Sequence, residues 1–254
     1  MKIINLIELE CRDNIAILRF NRPEVHHSVN GDMMTQWEAC LDKIEADSQI
    51  RSIIITGTGG STFCAGGDLG YFSTLNTQKA CVEMSNRMQI IINRMCGGSR
   101  MVVAAINGQA LGGGCEISIA CHYRIAASHA TFAFRQASNG IITGWGGGKR
   151  LFKLVGKSSA LRLLLTGERV DAKEALSMGL VDQIVAPEDL LSSVEKFVRK
   201  INKNSPESVK AFLKMGNMLD NSNDQHCAEF EADVFPDLFL GEVFQKVLKK
   251  YKNN

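Results

Sequence analysis

The chain carries Ala110-Leu111-Gly112-Gly113-Gly114-Cys115-Glu116 directly after the apolar run Met101-Val102-Val103-Ala104-Ala105-Ile106. Three consecutive glycines in apolar surroundings lose much backbone entropy on folding, so they call for a steric reason such as close approach to a ligand. Glu116 then places an ionisable group within a turn of main-chain N–H groups that have no intrahelical partner at a helix start. A second glycine element, Phe63-Cys64-Ala65-Gly66-Gly67-Asp68-Leu69, follows the β-branched run Ile53-Ile54-Ile55-Thr56 and the flexible Gly57-Thr58-Gly59-Gly60. Two N–H donors from separate loops are suited to one oxygen that becomes negative during a reaction. Neither element has the Lys and Ser/Thr of a phosphate-cradling Walker loop, and neither fits the dinucleotide fingerprint.

Positioning these loops requires strand-to-loop-to-helix units. Ile3 to Phe20 reads as two strands around Arg12-Asp13-Asn14, ended by Asn21-Arg22-Pro23-Glu24, because proline lacks a ladder donor. Asp32 to Ala46 has Met33, Trp37, Cys40, Leu41 and Ile44 on one face, the spacing of an amphipathic helix. Gln78 to Met95 repeats that spacing with Met84, Met88, Ile91, Ile92 and Met95, a stripe suited to core packing. The run of residues 101–106 predicts a buried strand, Asn107-Gly108 a turn, and Glu116 to Cys121 a buried helix. His122 to Ala126 and Phe132 to Phe134 read as short strands, and Gly144-Trp145-Gly146-Gly147-Gly148 as a flexible turn. Ser158 to Leu165 and Asp171 to Met178 read as short helices, the second with Asp171 as N-cap and Glu174 closing a capping box. From Pro187 onward the pattern turns almost wholly helical, through Leu190 to Ile201, Pro206 to Leu219 and Val243 to Tyr251. The repeated β-β-α grammar fits stacked sheet turns with helices outside better than a doubly wound sheet.

Phe63 to Leu69, Ile106 to Glu116, and Leu164-Leu165-Thr166-Gly167-Glu168 followed by Ala172-Lys173-Glu174-Ala175 and Gly179-Leu180-Val181 resemble the enoyl-CoA hydratase/isomerase family, the crotonase superfamily. The resemblance runs from Asn21-Arg22-Pro23 to the final helices. It implies an α/β fold: a spiral core of ββα turns over residues 1–187, with a C-terminal helical region over 188–254 used in trimer packing. Trimers or dimers of trimers are the implied assemblies, and an acyl-CoA thioester the implied substrate. Coenzyme A is then the carrier portion of that substrate, with no tightly bound cofactor.

By the same resemblance the N–H groups of Gly67 and Gly113 form an oxyanion hole around the thioester carbonyl. Ala65, Gly66, Asp68 and Leu69 lie along the CoA loop, and Arg22 approaches CoA from a second loop. Asp68 is equally suited to cap the following helix, and Arg22 to a solvated loop. His26 and His27 are read as surface loop residues, with contact to the acyl chain or CoA as the functional alternative. Trp145 is either a packing anchor or a wall of the acyl pocket.

Glu116 matches one of the family's two acid/base glutamates, against a capping or ion-pair role. The second glutamate would fall at Gln136, and an amide donates and accepts hydrogen bonds but is no carboxylate base. The two-carboxylate hydration mechanism therefore does not carry over intact. A lyase or isomerase acting through a CoA-thioester enolate is the expected activity, with hydration secondary. The alternative is decarboxylation of a malonyl-type thioester, methylmalonyl- or ethylmalonyl-like, which forms the same enolate without C–H abstraction. The segment from Gly140 to Gly147 resembles that of decarboxylating members of the family. A non-catalytic acyl-CoA-binding or scaffold protein is the alternative of a different class.

Composition bounds the rest. With 254 residues, 45% hydrophobic and 22% charged, the chain can bury a large core. Its 29 basic and 27 acidic residues leave a formal charge of +2 without a long basic stripe, which gives nucleic-acid binding little support. Lys246, Lys249, Lys250 and Lys252 bias only the C-terminus, as a solvated helix or as an electrostatic aid to a phosphorylated ligand. No run has the length of a membrane span or the form of a signal peptide, so a cytoplasmic location is expected. Eight cysteines without a CxxC pair, and His122 and His129 without partners at ligand spacing, argue for reduced, buried thiols and no metal site. Cys64 and Cys115 border the glycine loops and read as small packing residues rather than nucleophiles.

Overall fold

A computed structural model describes residues 5–219. The expected helix over Val243 to Tyr251 and the C-terminal lysines lie outside the described residues. In chain order the elements open with β1 (Ile7–Arg12), β2 (Ile15–Phe20), α1 (Gly31–Ala46), β3 (Ser52–Gly57), β4 (Thr62–Cys64), α2 (Leu69–Phe72) and α3 (Gln78–Cys96). There follow β5 (Met101–Ile106), β6 (Gln109–Leu111), α4 (Gly113–Ala120), β7 (Tyr123–Ala127), β8 (Thr131–Ala133) and α5 (Gly147–Thr166). The described chain closes with β9 (Val170–Asp171), α6 (Ala172–Ser177), β10 (Gln183–Val185), α7 (Leu190–Asn202) and α8 (Pro206–Leu219).

The strands divide between two sheets in the order β1-β2-β3-β5-β7-β10 and β4-β6-β8-β9. β1 and β2 pair within the larger sheet, and from β3 onward each turn (β3–β4, β5–β6, β7–β8) sends its first strand to the larger sheet and its second to the smaller one, a spiral as expected from the repeated grammar. From β2 to β10 the larger sheet is parallel, and β3 is buried along its whole length, as befits a strand covered on both faces. Alternate residues separate the faces: Leu18, Ile55, Val102 and Ala104 join the main core, while Ile17, Ile54, Val103 and Ala105 meet Leu190, Val194 and Val198 of α7. The shift to helical grammar at Pro187 therefore leads straight into a helix that closes the outer face of the sheet.

Helix starts follow side-chain caps. Asn30 accepts the Met33 N–H at 2.9 Å to open α1, and Thr77 accepts that of Ala80 at 3.2 Å to open α3. Asp171 caps α6 through the Glu174 N–H at 2.8 Å, but the Glu174 carboxylate pairs with Arg162 at 2.6 Å instead of closing the expected box. The larger correction concerns α5: the helix read over Ser158 to Leu165 is its second piece, and the expected turn before it opens a further helical piece at Gly147. Its helical pieces meet at Gly156, whose φ of 74° breaks the helix between them. Glycines at 146–148 are poor helix formers, so the local pattern reads as a turn, and tertiary contacts override it.

Candidate active site

The two glycine elements meet at the ends of β4 and β6, neighbouring parallel strands. Asn107, buried in the turn before β6, ties the preceding loops together: its side chain accepts the Gly57 N–H and donates to the Thr62 carbonyl, both at 3.1 Å. Gly66 has φ +89°, and a Cβ there would lie 2.7 Å from the Gly113 nitrogen and 2.9 Å from the Leu111 carbonyl oxygen. Only glycine lets the loops approach this closely.

Around them lies a cavity of about 510 Å³ whose walls include Ala65, Gly67, Leu69, Gly113, Glu116, Gln136 and Trp145. Seven of the predicted residues are thus brought together. In the first loop the neighbouring N–H groups are spoken for: Ala65 donates to the His26 carbonyl at 3.0 Å, Gly66 to the Cys64 sulfur at 3.4 Å and Asp68 to the Val29 carbonyl at 3.0 Å. The N–H of Gly112 donates to the Ala133 carbonyl at 2.8 Å. Those of Gly67 and Gly113 have no acceptor among the described residues.

Glu116 lies on α4 and is 2% exposed. Its Oε2 accepts the N–H groups of Trp145 at 2.8 Å and Gly147 at 2.9 Å, the second from the N-terminus of α5. Its Oε1 accepts from Gln136 Nε2 at 3.0 Å. Burial pushes the carboxyl pKa up, and these hydrogen bonds, which favour the charged form, only partly offset it. Gln136 is also buried, and its Oε1 has no hydrogen-bond partner among the described residues. The indole of Trp145, 3% exposed, lines the cavity while its main chain holds the carboxylate, so it serves both as packing anchor and as wall.

Other predicted residues stand behind this wall. Asp68 caps α2 through the Tyr71 N–H at 3.1 Å and pairs with Arg22 at 2.8 Å, and Arg22 also donates to the Ser28 carbonyl. Burial raises the Asp68 pKa, but the Tyr71 N–H and Arg22 outweigh it and hold the carboxyl below its ordinary value. His26 is exposed and outside the cavity wall; its carbonyl accepts the Ala65 N–H, and its Nδ1 lies 3.3 Å from the Thr62 hydroxyl. His27 departs from the expected surface position. It is 1% exposed, with Nδ1 accepting the Arg22 N–H at 3.0 Å and Nε2 3.0 Å from the Thr58 carbonyl, and burial lowers its pKa. Burial pushes the Cys64 thiol up to about 12 and raises that of Cys115 as well, which disfavours the nucleophilic thiolate at both. Among the described residues no group of three His, Cys, Asp or Glu side chains could hold a metal, and no helix is long and apolar enough to cross a membrane.

Three contributors escaped sequence reasoning. Phe72 and Met84 line the cavity, and the N–H of Gly147 grips Glu116. Leu151, Leu154 and Val155, at helical spacing behind the glycines, were the signal for an earlier start to α5. Phe72 sits on a four-residue helix, too short to leave a periodic signal.

The model of the enoyl-CoA hydratase/isomerase family matches residues 10–254. The chain belongs to this family. It is 33% identical to the short-chain-enoyl-CoA hydratase of Clostridium acetobutylicum over 241 residues, covering 94% of this chain and 91% of that protein. It is 29% identical to the ethylmalonyl-CoA decarboxylase of Mus musculus over 249 residues, covering 96% of this chain and 77% of that one. The crystal structure of enoyl-CoA hydratase from Bacillus anthracis superposes with a TM-score of 0.91 at 27% identity, covering 98% of this chain and 96% of that one. The protein is thus a crotonase-family enzyme acting on acyl-CoA substrates.

Proposed function

We propose that this crotonase is a single-carboxyl acyl-CoA lyase or isomerase. The amides of Gly67 and Gly113 hold the thioester carbonyl as it gains enolate charge, and Glu116 moves the one proton. Losing one such donor typically costs about 3–4 kcal/mol of transition-state stabilisation. The observation that carries the reading is the 3.0 Å hydrogen bond from Gln136 to Glu116, an amide standing where a second acid would be needed. Glu116 Oε2 already accepts two N–H groups, whereas Oε1 accepts only one, so Oε1 is the atom that exchanges the proton. In isomerisation it removes a proton from the α carbon and returns it to the γ carbon. Arg22 and Asp68 set the CoA loop from behind, and the region from residue 188 onward supports trimer or paired-trimer packing, which light scattering would measure.

One reading within this class is decarboxylation of a malonyl-type thioester. The C–C bond to the carboxylate breaks, its electron pair enters the enolate, CO2 leaves, and Glu116 supplies the proton to the α carbon. No C–H abstraction is required, so the neutral Gln136 is no handicap. The similarity to the mouse ethylmalonyl-CoA decarboxylase adds weight.

Crotonyl-CoA, a 3-enoyl-CoA, methylmalonyl-CoA and ethylmalonyl-CoA offered side by side test the assignment. Turnover of the 3-enoyl or malonyl-type thioesters well above crotonyl-CoA hydration is expected. Fast crotonyl-CoA hydration by the native enzyme would overturn it. Gln136→Glu restores the second carboxyl and is expected to raise hydration about 10²-fold or more.

A further inference from the structure

The two glycines that border the cavity are each backed by an aromatic ring. A Cβ at Gly67 would come within 2.0, 2.5 and 2.8 Å of three carbons of the Phe72 ring. A Cβ at Gly113 would come within 2.2, 2.6 and 2.7 Å of three carbons of the Trp145 indole. Both rings also line the cavity, so each presses on a glycine and faces the space an acyl group must enter.

The rings are held very differently. Trp145 is 3% exposed, its N–H donates to Glu116, its carbonyl accepts from Arg150 at 3.3 Å, and the preceding Gly144 carbonyl accepts from Ser85 and from Gln89. Phe72 is only half-buried, packs with Tyr71 at the margin of the core, and ends the four-residue α2, which the Asp68 cap and the Arg22 pair hold from behind. One wall is fixed from several sides, and the other is carried by a single turn at the margin of the core.

We propose that Phe72 is the specificity-determining residue of this enzyme, closing an aromatic slot with Trp145 that admits short acyl groups and turns away long ones. The proposal rests on the reading of Gly67 and Gly113 as the carbonyl-binding pair, because that pair sets where the acyl chain begins. With the Phe72 ring in contact with the Gly67 backbone, no methylene chain passes between them. Longer chains must displace the ring, and the Asp68 cap opposes that movement. An apolar pocket discriminates through such steric limits by about tenfold or more per group that does not fit.

Calorimetric titration with acetyl-, butyryl-, hexanoyl- and octanoyl-CoA, and with free CoA, tests this without requiring turnover. The native enzyme is expected to bind butyryl-CoA more tightly than octanoyl-CoA. Phe72→Ala should tighten octanoyl-CoA about tenfold while leaving acetyl-CoA within about twofold, with Phe72→Leu between them as the variant least able to disturb folding. The same chain-length profile in the native enzyme and both variants would overturn the role of Phe72 and leave the carbonyl-binding reading standing. Acyl-CoAs that bind no better than free CoA would remove that reading and this proposal with it.

Discussion

Asp68 follows Gly66 and Gly67, Glu116 follows Gly112 to Gly114, and both loops border one cavity. Their carboxyls nevertheless titrate in opposite directions. Asp68 has Arg22 at 2.8 Å and the first turn of α2 above it, and it is held below its ordinary value despite burial. Glu116 has no cation among its hydrogen-bond partners in the described residues, only N–H dipoles, and desolvation wins. A full positive charge within hydrogen-bond reach offsets partial burial, whereas neutral dipoles do not offset nearly complete burial. The same local grammar therefore yields a structural anion in one loop and, in the other, a carboxyl with a raised pKa, which suits the proton-carrying role proposed for it.

Replacing the carrier should have the largest effect. Glu116→Gln is expected to lower kcat by about 10²–10⁴-fold, the usual range for removing a general acid or base. The same change should stabilise the fold at neutral pH. A raised folded pKa means that ionisation costs stability, and the cost appears as pH rises above the ordinary value of 4.5. The Tm advantage of the variant should consequently shrink as pH falls toward 4.5, and a constant advantage would contradict the raised pKa. In the native enzyme, if Glu116 acts as base, the acidic limb of the kcat profile should likewise lie above pH 4.5.

Loop rigidity separates the glycines next. Gly113→Ala drives a methyl group into the fixed Trp145 indole and should cost about 1–3 kcal/mol in urea unfolding. Gly67→Ala meets Phe72, which is only half-buried and on a shorter helix than the wall at Trp145, and should cost less. Equal losses would show that the two walls are equally stiff.

The smallest effect is expected behind the first loop. Asp68→Asn keeps a capping oxygen for α2 but removes the charge facing Arg22, for a loss of about 1 kcal/mol. Because the folded pKa of Asp68 is depressed, its contribution is present above the unfolded value near 3.8 and fades as pH falls through the lower folded value. Native and variant unfolding curves should converge in that acid range. A difference that persists below it would assign the effect to packing.

Periodicity made much of the fold legible. The stripe from Met33 to Ile44 packs as read, and the strands from Ile15, Ser52 and Met101 lie in one parallel sheet because their apolar runs have to be covered on both faces. The residues around the cavity were legible through the glycine elements and Glu116, whose lack of a side chain or ionisable group is itself the signal, while Gln136 was found only through the family resemblance. His27 was misread because a loop position carries no periodicity to announce burial, and its two ring nitrogens are satisfied by residues brought near only in the folded chain. The start of α5 was hidden by glycines whose helical state depends on what they hold.

By itself the sequence determined the repeated ββα grammar, the two glycine elements and the acidic residue that follows each, since these follow from residue type and spacing. Tertiary structure alone decided that Glu116 is buried against the start of α5, that Asp68 is paired with Arg22, and that Phe72 backs Gly67. The physical reason is that desolvation and charge pairing depend on distance in space, and residues 31 and 46 positions apart along the chain supply the partners in the first two cases.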